Sequence, residues 1–200
     1  MRPTCRRCLR PSAFCVCRDL GPIASRTRVV LLQHPREARV AICSAWLTRV
    51  ALANVELHRG FRFDADARVR EVVSSPGAVL LYPGPGAVPV SSLVDAPPPF
   101  LVVVDGTWVQ AEKMLAANPA VAALPRLSLI PDRASGYQAL RREPAPHCLS
   151  TIEAVACALG AIERDEARFE PMRSAFRAMV ERQLACSRDG RRSPRHRRSA

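Results

Sequence analysis

The sequence predicts an α/β protein with a mostly parallel sheet and flanking helices. Two observations predict it. Short apolar runs rich in β-branched residues recur along the chain, each ended by polar, glycine or proline residues. Stretches with apolar residues at helical spacing alternate with those runs, which is the order of a layered α/β domain. Two hundred residues, 48% of them hydrophobic, are enough to bury one core.

The elements follow in order. Arg28-Val-Val-Leu-Leu32 reads as the first buried strand, broken by Gln33-His34-Pro35. Val40, Ala41, Ala45, Leu47, Val50 and Ala51 recur at helical spacing and predict a helix over 36–52. A short strand over 54–58 precedes a turn at Gly60, and Ala78-Val-Leu-Leu-Tyr82 is a third strand, ended by Pro83-Gly84-Pro85-Gly86. Pro97-Pro98-Pro99 leads into Phe100-Leu-Val-Val-Val104, the clearest buried strand, which stops at Asp105-Gly106. Residues 107–117 predict a helix, ended by Asn118-Pro119. A fifth strand over 126–130, a polar proline-containing loop over 135–147, and helices over 150–163 and 166–185 complete the fold. Residues 187–200, with six arginines and one aspartate, read as a basic disordered tail. The chain thus divides into a cysteine-rich unit (1–20), a main domain (21–186) and the tail (187–200).

In parallel sheets, ligands bind beyond the carboxyl ends of the strands. That rule points to Gln33-His34-Pro35, Tyr82-Pro83-Gly84 and Asp105-Gly106-Thr107-Trp108. The chain contains neither a dinucleotide-type glycine fingerprint nor a P-loop motif.

The net charge is +12; the tail supplies +5 of it and the remainder of the chain +7. A body this basic attracts polyanions, RNA or DNA first among them, although an arginine-biased solubility charge would look the same. No apolar run approaches the roughly 20 residues of a membrane span, and the start of the chain lacks the apolar stretch of a secretory signal. A soluble, cytoplasmic protein is expected.

Cys5, Cys8, Cys15 and Cys17 fall within thirteen residues, in a segment too small for its own core. Four thiolates at that spacing suit a closed zinc site, with iron–sulfur binding or free buried thiols as the alternatives. Arg6, Arg7, Arg10 and Arg18 interleave with the cysteines and would either touch phosphate or only solvate the surface. Cys43 and Cys157 read as core residues on apolar helix faces.

Asp105 sits where a buried strand stops. A carboxylate there either caps the next helix or does chemistry. Ser150-Thr151-Ile152-Glu153 fits a capping box, and the amides of such a helix start also suit a carboxylate ligand. Tyr137 could stack on an unstacked base and the pair Arg141-Arg142 could grip phosphate. His34 would hydrogen-bond a turn or act in the site.

Together these motifs carry a resemblance: Cys5-Arg-Arg-Cys8 with Cys15-Val-Cys17, Leu31-Leu-Gln-His-Pro-Arg-Glu37, Leu81-Tyr-Pro83, Val104-Asp-Gly-Thr-Trp108, Ser135-Gly-Tyr137 with Arg141-Arg142, and Leu149-Ser-Thr-Ile-Glu-Ala154. In this order the sequence resembles the DTW-domain family, the tRNA-uridine aminocarboxypropyltransferases. The resemblance implies a fold like the knotted SPOUT methyltransferases, with residues 21–186 as the catalytic domain. It also implies transfer of the 3-amino-3-carboxypropyl group from S-adenosylmethionine to the imide nitrogen of a tRNA uridine, releasing methylthioadenosine. Asp105, Thr107 and Trp108 would then be catalytic, Asp105 as the base. Leu81, Tyr82, Pro83, Asp105, Trp108, Ser150, Thr151 and Glu153 would hold S-adenosylmethionine, with Trp108 against the sulfonium. Cys5, Cys8, Cys15 and Cys17 would bind zinc; Tyr137, Arg141 and Arg142 would bind RNA. An RNA methyltransferase using the same donor, or a non-catalytic zinc-containing RNA-binding protein, are the competing readings. Trp46 and Val109 stand where the family usually carries arginine, removing two cations expected near the site.

Overall fold

The computed structural model describes residues 3–18, 20–40, 42–129 and 149–188. Tyr137, Arg141, Arg142 and the segment 189–200 lie outside them. Six parallel strands form one sheet in the order β2-β1-β5-β3-β6-β4. They are β1 (Arg28–Gln33), β2 (Val55–Arg59), β3 (Val79–Leu81), β4 (Val88–Pro89), β5 (Phe100–Asp105) and β6 (Arg126–Ser128).

The central strands are apolar over Val29–Leu32 and Phe100–Val104 because both of their faces are covered there. Val29 and Leu31 of β1, with Leu101 and Val103 of β5, point into one core; Val30, Leu32 and Val102 point into the other. The first core lies under α1 (Ser44–Ala51), α5 (Thr151–Glu163) and α6 (Glu166–Arg188). The second lies under α2 (Ala67–Ser74), α3 (Trp108–Ala117) and α4 (Pro119–Ala122). On α5 the fully buried Ile152, Val155, Leu159 and Ile162 each contribute roughly 1.5–3 kcal/mol by burial. The α5–α6 approach is close: a Cβ at Gly160 would stand 3.1 Å from the Glu166 Cα.

Several elements differ from the sequence reading, the short helix α4 among them. The helix expected over 36–52 is a 3-10 turn, Glu37–Arg39, followed by α1. Val40 and Cys43 take extended ψ values of 127° and 117°, so the chain crosses the strand ends before it turns down as a helix. Helix α2 is additional; Asp66 caps it, accepting from the Arg68 and Val69 amides at 3.0 and 3.1 Å. Strand β4, two residues long at the sheet edge, is also additional.

The cysteine-rich segment packs against the first core through Cys8, Cys17 and Leu20. Arg7 donates to the carbonyls of Cys17 and Leu20, and Arg182 of α6 donates to the Cys15 carbonyl. Trp46 of α1 donates through Nε1 to the Arg7 carbonyl at 2.9 Å. Trp46 therefore ties α1 to the cysteine segment and is not among the residues that line the cavity described next. Among the described residues no helix is long and apolar enough to cross a membrane.

Candidate active site

A cavity of about 360 Å³ opens at the carboxyl ends of β3, β5 and β6, where the topology rule places it. Its size falls in the range of small-molecule sites. Leu81, Tyr82, Pro83, Asp105, Thr107, Trp108, Ser150 and Thr151 all line it. Eight positions from three separate sequence motifs thus meet in one place. Glu153 does not line it: its carboxylate accepts from the Ser150 amide (3.0 Å) and hydroxyl (2.6 Å) and completes the cap of α5.

Asp105 ends the central strand and is 6% exposed. It is not the cap of α3. That role belongs to Thr107, whose hydroxyl accepts from the Gln110 amide at 3.3 Å while the Gln110 side chain accepts from the Thr107 amide at 2.7 Å. Asp105 instead faces two side-chain donors. Thr151 Oγ1 donates to Oδ1 at 2.5 Å, and Gln33 Nε2 donates to Oδ2 at 2.9 Å. Burial raises the Asp105 pKa above the ordinary carboxylate value, and these two hydrogen bonds oppose the rise. Gln33 is itself buried and oriented, since its Oε1 accepts from Arg59 Nε at 3.3 Å. The strand-end rule points to Gln33-His34-Pro35 but gives Gln33 no role. The signal was its parallel register, opposite Asp105 on one side and Arg59 on the other.

The aromatic wall is Trp108 against Tyr82, with ring centroids 5.7 Å apart at 54°. Arg126 lies over the outer side of Tyr82 at 5.7 Å. Gly84, at φ 146°, lets Arg126 approach: a Cβ there would stand 2.7 Å from the guanidinium. Burial raises the Tyr82 pKa, so its hydroxyl stays protonated. Val109 also lines the cavity and is 60% exposed, so the missing arginine at that position is a change at the rim. Glu37, Cys43 and Ser44 complete one wall. Cys43 packs against the first core and also lines the cavity; its sulfur lies 3.1 Å from Gln33 Nε2, and burial and the nearby Asp105 raise its pKa.

The four clustered cysteines form a second constellation. Their sulfurs all lie within 4.8 Å of one another, with three separations of 3.4, 3.6 and 3.8 Å. A tetrahedral tetrathiolate with zinc–sulfur bonds of about 2.3 Å has edges of about 3.8 Å, so the residues fit such an ion. The separations are far beyond a disulfide bond of about 2.05 Å, and all four thiols are free. Backbone amides of Cys8 and Arg7 lower the Cys5 pKa to about 6, whereas burial raises those of Cys8 and Cys17. Arg7 donates to the Cys17 and Leu20 carbonyls, and Arg10 points toward the Met179 sulfur.

Fold and site together define a class: a parallel α/β protein, covered on both faces, with a ligand cavity at the strand ends and a separate thiol cluster able to hold a metal. The chain belongs to the DTW-domain family, whose model matches residues 2–184. It is 34% identical over 170 residues to tRNA-uridine aminocarboxypropyltransferase 2 of Drosophila melanogaster, covering 81% of this chain and 67% of that protein. The mouse protein of the same name is 29% identical over 192 residues, 92% of this chain and 64% of its own length. The Arabidopsis thaliana tRNA-uridine aminocarboxypropyltransferase A is 31% identical over 200 residues, covering 84% of this chain and 76% of that protein. The chain thus spans roughly two thirds to three quarters of these relatives. No solved structure matches it.

Proposed function

We propose that this chain is a tRNA-modifying transferase that works in the cytoplasm and alkylates a uridine at its imide nitrogen. The observation that carries the reading is a buried carboxylate, doubly hydrogen-bonded, at the floor of a half-apolar cavity with an aromatic wall. S-adenosylmethionine, when bound, supplies a sulfonium-activated 3-amino-3-carboxypropyl group and leaves as methylthioadenosine.

The chain's own residues divide the work. Asp105 takes the imide proton, and its raised pKa makes it a stronger base than an exposed carboxylate. Thr151 and Gln33 fix the direction of its lone pairs. Trp108 and Tyr82 offer aromatic faces to a cationic ligand, and the start of α5 at Ser150–Thr151 offers the positive end of a helix to a carboxylate. Thr107 shapes the wall by capping α3. The closed cysteine cluster would hold zinc and stiffen residues 5–17; it lies apart from the cavity and takes no part in proton transfer. RNA contact by Tyr137, Arg141 and Arg142 remains part of this reading.

The test uses purified protein, unmodified tRNA and S-adenosylmethionine. Mass spectrometry is expected to find an aminocarboxypropyl-uridine in the RNA and methylthioadenosine in solution. S-adenosylhomocysteine with a methylated nucleoside would make the chain a methyltransferase, and no binding of S-adenosylmethionine by calorimetry would make it a binding protein.

A further inference from the structure

The carboxyl edge of the sheet does not end at the cavity. It continues over β1 and β2, whose last residues, Gln33 and Arg59, stand in register with Asp105. Neighbouring strands lie about 4.8 Å apart, so this shoulder is about two strand spacings from the buried acid. It carries an aromatic pair. Phe61, just after β2, meets the His34 ring edge-on, with centroids 5.9 Å apart at 87°. Phe61 is nonetheless 39% exposed, one of few large apolar side chains so placed.

The exposure is built, not a loose end. The buried Asn118 donates to the Phe61 carbonyl at 2.9 Å and accepts from the Phe63 amide at 2.7 Å. Phe63 fills the second core and anchors the loop from below. The loop is pinned on both sides of the aromatic it displays.

The surroundings are cationic. Arg36, Arg59 and Arg62 are all exposed. Carboxylates in the same segments are Asp64, 3.5 Å from Arg62 with both groups about two-thirds exposed, Asp66, which caps α2 and meets His58, and Glu37, which lines the cavity. His34 accepts the Arg36 amide at 3.2 Å through Nδ1, which leaves Nε2 as the donor of the neutral ring. An exposed aromatic on a pinned loop, with exposed arginines in the adjoining segments, is the composition that single-stranded nucleic acid meets on a binding surface.

We propose that Phe61 and His34, with Arg36 and Arg62, form a nucleotide platform that stacks an unpaired base and grips its phosphates beside the cavity. The proposal rests on the reading of the cavity as an RNA-modifying site and adds the surface that presents the RNA to it.

The probe is a fluorescein-labelled RNA hairpin with an all-uridine loop, titrated by anisotropy against the full chain, with a blunt RNA duplex as control. Phe61→Ala should weaken hairpin binding about ten-fold, as loss of one base stack does. Phe61→Trp should restore it and Phe61→Leu should not, because leucine keeps apolar contact with His34 but has no π face. Arg36→Ala and Arg62→Ala should each lower the slope of log affinity against log salt by about 0.7. Wild-type affinity in Phe61→Leu, or in a Phe61→Ala chain that unfolds at the wild-type temperature, overturns the platform alone. A wild-type chain that binds no RNA hairpin and no tRNA overturns the platform together with the proposed function.

Discussion

Asp105→Asn separates the two roles a buried carboxylate can have. The amide fits the site without rotating its neighbours. Its oxygen can accept from Gln33, as Oδ2 does now, and its NH2 can donate to Thr151 Oγ1, which is a hydroxyl and can accept. Each bond becomes neutral instead of charge-assisted, a loss of about 1 kcal/mol apiece. Against that, burying an ion costs several kcal/mol even after relaxation, and Asp105 is 6% exposed. The second effect is larger, so the variant should be more stable than the wild type at pH 8. The sign of the pH dependence follows. Burial raises the Asp105 pKa in the folded chain, so the native state holds its proton more tightly than the unfolded chain, whose value is about 3.9. The Asp105 contribution is therefore fully present below about pH 4 and is lost as pH rises through the higher native value. Thermal unfolding from pH 4 to pH 9 should show the two proteins converging at the acid end and the wild type falling behind above it. Transfer to tRNA should drop 10²–10⁴-fold, the usual share of a positioned base. Parallel stability curves would refute the buried-ion argument, and undiminished transfer would remove Asp105 as the base.

Three further outcomes are expected. Thr151→Val removes the 2.5 Å donor to Asp105; with less support for the ionised form, the acidic limb of the pH–rate profile should move to higher pH, and an unmoved limb would count against Asp105 as the titrating group. Metal analysis of the purified chain should find one zinc per molecule, lost in Cys17→Ser together with several degrees of thermal stability; a metal-free wild type of equal stability would contradict a zinc role for the cluster. Glu56 should stabilise the fold in acid: Arg68 and then Arg28 hold its pKa down to about 2. Its contribution is present above the ordinary value of 4.5 and lost as pH falls toward 2, so Glu56→Gln should flatten the stability curve over that window.

The parts of this molecule legible in the sequence are those where one physical demand dominates. The middles of β1 and β5 are buried on both faces, so those positions must be apolar, and the runs Val29–Leu32 and Leu101–Val104 announce themselves. The capping box at Ser150–Glu153 is equally local. The start of α1 was hidden because Ala41 and Ala45 satisfy a helical period whether or not the chain between them is helical. What decides is the need to cross the strand ends first, and that is set by the sheet. The choice between Asp105 and Thr107 as the cap of α3 was readable after all: Thr107 with Gln110 three residues on is a capping box, which releases Asp105 for other work. Gln33 lay in a motif, but its role and that of Cys43 could not be read from it, since their part in the site comes from strand register and from a break in a helix. Trp46 took the place of an expected arginine, and only its hydrogen bond to the Arg7 carbonyl shows what that exchange does.

That bond has a further consequence. Helix α1 touches both constellations: Cys43 and Ser44, at its start, line the cavity, while Trp46, a turn away, holds the cysteine segment. The segment in turn has too little core of its own to keep a shape without its staple. Removing metal with a chelator should therefore reach the cavity through Trp46, weakening S-adenosylmethionine binding several-fold by calorimetry while the main sheet stays folded by circular dichroism. Trp46→Phe keeps the ring and its contact with Arg49, 5.0 Å away, but loses the donor. It should lower affinity in the metal-bound chain and make that affinity insensitive to chelation. If verified metal loss leaves the wild-type affinity unchanged, the cysteine cluster is a stabilising unit only, and α1 carries no message between the two sites.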